Sequence, residues 1–186
     1  SLAEEIDKTI RELAKRHEKT VEDIKKIITE LEKKHRDTAE ELERIVREIE
    51  KKIRELKKRL KDDKDKLREL KDELRRILED AARKSKRVVE ETEEVNREIN
   101  KRSEEVVRDT ERVLRKIADD LRRRIRREEL ERVLREAEET LRRLIEKDEK
   151  VNREADEKSE RLIREDEKVL EDVAREVERL LRELDK

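Results

Sequence analysis

Apolar residues recur every three or four positions along almost the whole chain, and no other feature constrains its fold as much. In the first third the series runs Ile6, Ile10, Leu13, His17, Thr20, Ile24, Ile27, Leu31, His35, Thr38, Leu42, Ile45, Ile49, Ile53, Leu56 and Leu60. Fifteen steps carry it from 6 to 60, which is 54 residues or 3.6 per step. An α-helix turns once in about 3.6 residues, so these side chains share one face of a helix. A heptad seam averages about 3.5 residues and winds neighbouring helices into a left-handed supercoil. Eighteen residues in five turns match a straight helix, and features of this sequence do repeat at 18: His17/His35, Thr20/Thr38, Ser85/Ser103, Thr92/Thr110, and Asp148-Glu149-Lys150-Val151 with Asp166-Glu167-Lys168-Val169. The spacing therefore predicts nearly untwisted helices.

Two places interrupt the stripe. Residues 61 to 66, KDDKDK, contain no apolar side chain, and Asp62, Asp63 and Asp65 are suited to turning the chain or capping a new helix. The stripe shifts by only about 40° there at 100° per residue, so one continuous helix through residue 125 is the competing reading. Between Ile125 and Leu130 the stripe jumps by about 160° at 100° per residue, across residues 126 to 129. The expected architecture is all-α: a long, nearly untwisted, up-down-up antiparallel three-helix bundle with 18-residue periodicity. It forms one domain over residues 1–186, with helices at about 2–61, 65–126 and 129–185. The stripes are of similar width, about 140° at 100° per residue, which gives the three helices equivalent roles.

Composition sets limits on function. Asp, Glu, Lys and Arg make up 61% of the chain, yet 56 basic and 57 acidic residues leave a net charge of -1. No strong field is available to recruit nucleic acid or an anionic membrane surface. No apolar run approaches the roughly 20 residues of a membrane span, and the N-terminal SLAEEIDKTIREL lacks the basic and apolar regions of a signal peptide. With no cysteine, disulfides and thiolate metal sites are excluded.

The polar residues within the stripes carry the specific information. His17 and His35 lie near the centre of the first apolar face, and Asp148 and Asp166 near the centre of the third. Folding the chain at residues 63 to 64 and again near 129 places His17 level with Thr110 and within a turn of Asp148; His35 falls level with Thr92 and near Asp166. Asn96, Asn100, Asn152 and Ser159 fall between these levels. His17 with Asp148 and Ser103 or Thr110 contains the residue types of a hydrolase triad. A triad also needs an exposed nucleophile, an oxyanion site and a cleft, for which a straight bundle without glycine has no place. One His and one Asp per level are too few ligands for zinc within a single chain. The expected role of these side chains is to hydrogen-bond one another in the core; a carboxylate beside each imidazole is expected to favour its charged form, whereas burial against hydroxyls and amides alone would disfavour it.

A Glu/Lys/Arg-saturated surface, Ile/Leu/Val stripes, the 18-residue step and His/Thr/Ser/Asn/Asp layers together resemble de novo designed parametric helical bundles with buried hydrogen-bond networks. The resemblance covers the whole chain. It implies that His17, Thr20, His35, Thr38, Ser85, Thr92, Asn96, Asn100, Ser103, Thr110, Asp148, Asn152, Ser159 and Asp166 form structural polar layers that specify helix register. Without glycine in its turns, the chain departs from common loop practice. The implied function is a structural scaffold with no natural biochemical activity: not an enzyme, and without cofactor, metal or small-molecule substrate. It would require no partner, and neither nucleic acid nor membrane. A monomer is favoured, with a homo-oligomer as the other outcome, and recombinant expression should leave the chain soluble in the cytoplasm. The alternative is a self-assembling, homo-oligomeric or filament-forming bundle switched by protonation of His17 and His35.

Overall fold

A computed structural model describes residues 2–59, 62–123 and 128–185. It contains three helices, α1 (Leu2–Lys57), α2 (Lys64–Arg123) and α3 (Glu128–Leu184), of 56, 60 and 57 residues. No strand occurs among the described residues. Strong helix formers fill the exposed positions, no glycine or proline interrupts them, and each apolar stripe has a partner face to bury against. Glu4 and Glu5 in the first turn of α1 and Arg54 and Lys57 in its last are placed to oppose the helix dipole.

The first interruption divides its work among few residues. α1 ends at Lys57, four residues ahead of the expected 61, and the Arg59 N–H donates to the Leu56 carbonyl at 3.0 Å. Asp63 is the residue that caps α2. Its Oδ1 accepts the Lys66 N–H at 3.2 Å, and its own carbonyl accepts the Leu67 N–H at 3.2 Å. That is the geometry of an aspartate N-cap, in which the side chain satisfies one of the amides left free in the first turn. No described residue has a positive φ, so the described part of this turn needs no glycine. Asp63→Ala should lower stability by about 1 kcal/mol, measured by urea titration, while Asp62→Ala should leave it nearly unchanged. Residue 61 of this turn, residues 126 and 127 of the second expected turn, and the expected end of the second helix at 126 lie outside the described residues; α3 is already helical at Glu128.

The chain forms two compact units: Ser1–Thr29 with Glu94–Lys158, and Glu30–Glu93 with Ser159–Lys186. Each holds a stretch of all three helices. In the first, Ile6, Leu13, Ile117, Leu134, Ala137 and Leu141 form an apolar cluster, with Ile10, Val113, Leu114 and Leu144 packed on it. In the second, Leu42, Ile49, Ile53, Leu70, Leu74, Val173, Val177 and Leu180 are among the residues of a larger one. Leu74, Leu134, Leu141 and Val177 are wholly buried, and no large hydrophobic side chain is exposed among the described residues.

Burial in α1 adjusts the expected stripe by one residue in two places. Val21 and Ile28 are buried, whereas their neighbours Thr20 and Ile27 are only half-buried. Both pairs fit a helical spacing, so the angle alone does not choose between adjacent edge positions.

Candidate functional site

Each unit contains one buried layer built from the same four residue types. In the first unit, α1 supplies His17, α2 supplies Ser103 and Thr110, and α3 supplies Asp148. Their exposures are 3%, 2%, 0% and 0%. The stripe carries each inward because it stands where an apolar residue would otherwise be, and burial then obliges it to find a partner. His17 Nε2 lies 2.7 Å from Thr110 Oγ1, and His17 Nδ1 lies 2.8 Å from Asp148 Oδ2. Ser103 donates its hydroxyl to Asp148 Oδ1.

The direction of each bond follows from counting protons. Thr110 has a single hydroxyl proton and donates it to the Val106 carbonyl, 2.8 Å away and one turn back on α2. Thr110 Oγ1 therefore faces His17 as an acceptor, so Nε2 must carry hydrogen. Asp148 Oδ1 is engaged by Ser103, and a single proton occupies the line between His17 Nδ1 and Asp148 Oδ2. The whole chain, Ser103 to Asp148 to His17 to Thr110 to Val106, is closed, with every member satisfied.

In the second unit the chain is open. His35 Nε2 lies 2.7 Å from Thr92 Oγ1, Thr92 donates to the Val88 carbonyl at 2.8 Å, and Ser85 donates to Asp166 Oδ2 at 2.6 Å. His35 Nδ1 and Asp166 Oδ1 lie 3.9 Å apart, which is too long for a hydrogen bond, and both atoms are buried without a protein partner. The same proton count places hydrogen on His35 Nε2 and leaves Nδ1 as a bare acceptor facing a carboxylate oxygen.

That difference reverses the electrostatic expectation for His35. Its imidazole is pulled below the ordinary value of 6.5, chiefly by burial and with Lys34 adding to it; the attraction of Asp166 and Glu165 does not compensate. The expectation that a neighbouring carboxylate raises a buried histidine fails here, because attraction across 3.9 Å without a hydrogen bond is weaker than the cost of desolvating an imidazolium.

The remaining sequence candidates do not join these chains. Thr20 and Thr38 each donate to a carbonyl of their own helix, Arg16 at 2.8 Å and Lys34 at 2.9 Å, as threonine within a helix commonly does. Asn96, Asn100 and Asn152 are half-buried, each with a buried Oδ1 that has no protein partner, and the buried Ser159 Oγ has none. The expected network does not extend through them. Asp156 Oδ1 shares that condition and was missed by the sequence reading; its position one turn after Asn152 is the signal that could have found it.

Chemically, the closed layer has the members of a nucleophile–imidazole–carboxylate relay with its first bond reversed. Thr110 receives a proton bond from His17 and is wholly buried, so the imidazole does not draw the hydroxyl proton away. Among the described residues no group of three or more His, Cys, Asp or Glu side chains could hold a metal ion. No described helix is long and apolar enough to cross a membrane.

Fold and site thus define a three-helix bundle with hydrogen-bonded polar layers in its core. Among solved structures the chain is similar to a computationally designed three-helix bundle, with 18% sequence identity and a TM-score of 0.61 over 98% of this chain and 86% of the other. At that identity the likeness is one of fold. No protein-family model matches the chain, and no curated protein matches it either.

Proposed function

We propose that the chain is a designed structural scaffold with no natural biochemical activity, in which the two polar layers select one packing of the helices. The observation that carries this reading is the closed chain from Ser103 to Val106, which draws members from all three helices and leaves none unsatisfied. A shifted register would strand several buried polar groups, each at a cost of about 1–3 kcal/mol. A competing packing is disfavoured by that sum even where its apolar contacts are equally good.

Cross-helix pairs support the antiparallel order of α1 and α2 inside each unit. In the first, Arg16 pairs with Asp109 and Asp23 with Arg102. In the second, Lys34 pairs with Glu91, Glu41 with Lys84 and Lys52 with Glu73. Residue numbers rise along one helix as they fall along the other. Three helices of one chain supply every member of each layer, which supports a monomer that needs no partner, cofactor or membrane and stays soluble on expression. The wholly buried Thr110 and the reversed bond to it support the absence of hydrolytic activity.

Exchanging His17, Ser103, Thr110 and Asp148 together for apolar residues of similar volume is expected to keep the helices. Stability should stay level or rise by about 1–4 kcal/mol, as it does when a whole buried polar set is replaced. What should be lost is uniqueness, seen in NMR as broadened or multiplied amide peaks. A single sharp spectrum from the fourfold variant would reject the specifying role.

A second reading is a self-assembling bundle that responds to acid, favoured by two histidines that are both buried. Sedimentation at about pH 7.5 and about pH 5.5, on either side of the ordinary imidazole value, separates the two. A monomer at both supports the plain scaffold, and an assembly that dissociates in acid supports the switch.

A further inference from the structure

The two layers contain the same residue types, yet differ at one step, and that step decides what a proton can do. In the His17 layer the line from Nδ1 to Asp148 Oδ2 already holds a proton, and Asp148 Oδ1 is taken by Ser103. No ring nitrogen or carboxylate oxygen there is without a partner. In the His35 layer two buried acceptors face each other, Nδ1 and Asp166 Oδ1, and neither has a partner.

We infer that the His35 layer is a proton-binding site and the acid-sensitive joint of the bundle, while the His17 layer is a closed clamp whose ring nitrogens and carboxylate oxygens all have partners. This rests on the second reading above, that a buried histidine responds to acid, and narrows it to one of the two. The groups facing His35 are Asp166 and Glu165 on α3, Lys34 on α1 and the Thr92 hydroxyl on α2; Glu91 of α2 is engaged with Lys34. A proton arriving at Nδ1 converts a bare lone pair into a donor that has no hydrogen-bond partner in place, with Asp166 Oδ1 at 3.9 Å. The new N–H has no hydrogen bond at that distance, so charging His35 requires the layer to repack.

The sign follows from linkage. Burial lowers the folded-state value of His35 below 6.5, so in the window beneath that value the unfolded chain binds the proton more readily. Stability is full above the unfolded value and declines as pH falls through it toward the folded one.

The test is NMR of the imidazole nitrogens together with amide hydrogen exchange at about pH 7.5 and about pH 5.5, corrected for intrinsic rates. His35 Nδ1 should be unprotonated at the higher pH and titrate with a midpoint below the ordinary value. Protection should fall on acidification around residues 30–40, 85–93 and 159–170. That loss should disappear in His35→Gln and persist in His17→Gln. Because the nitrogen spectrum is read on the parent protein, the outcome does not depend on either variant folding. A protonated His35 Nδ1 at about pH 7.5, or an acid loss of equal size at both layers, overturns the inference while keeping a pH response. No loss at either layer overturns it together with the second reading.

Discussion

Asp148→Ala is expected to lower the free energy of unfolding by about 2–6 kcal/mol, the sum for two buried polar groups stranded at about 1–3 kcal/mol each. The substitution removes two acceptors at once. Ser103 would keep a buried hydroxyl with nowhere to donate, and His17 would keep a buried Nδ1 facing a void. Asp166→Ala is the instructive comparison, because it removes the partner of Ser85 alone. Its expected cost is that of a single stranded group, about 1–3 kcal/mol. Urea titrations of both variants with unchanged m-values would measure the difference. A loss at Asp166 equal to or greater than that at Asp148 would contradict the contrast between a closed and an open chain.

Leu134→Ala is expected to cost about 2–5 kcal/mol, through lost transfer free energy and the cavity it leaves. Leu134 is wholly buried in the cluster formed with Ile6, Leu13, Ile117 and Leu141. Leu144, half-buried at the edge of the same cluster, should cost less when truncated, because water and neighbouring side chains can fill part of the space. Denaturant melts of the two variants test the ordering, and equal losses would mean that the cluster is looser than its burial implies. Together with the fourfold layer exchange, these substitutions separate two tasks. On the proposed reading, apolar clusters supply most of the stability and polar layers penalise alternative packings.

Much of the site is legible in the sequence. A polar residue in the middle of an apolar stripe must be buried, so His17, His35, Asp148 and Asp166 announced themselves by position. Counting residues from the two interruptions brought His17 to Thr110 and His35 to Thr92, because helices rise by a fixed amount per residue. Other choices escaped that arithmetic. Thr20 and Thr38 have the right angle to look inward, but a threonine hydroxyl has a carbonyl of its own helix within reach and takes it. Asn96, Asn100 and Asn152 sit at half-buried positions, where an angle of some tens of degrees decides whether an amide turns to a neighbour.

The sequence by itself determined three helices, their apolar faces, and the kinds of side chain that meet in the core. It did so because helical geometry converts spacing into angle without reference to anything beyond the helix. Tertiary structure alone decided which of two chemically equal layers closes. His17 reaches its carboxylate at 2.8 Å and His35 stops at 3.9 Å from its own. A repeat of 18 residues makes the two sets equal in register, but a hydrogen bond tolerates only a few tenths of an ångström. That margin is set by how three helices pack around each layer, a property of the assembled core that periodicity in one chain does not encode.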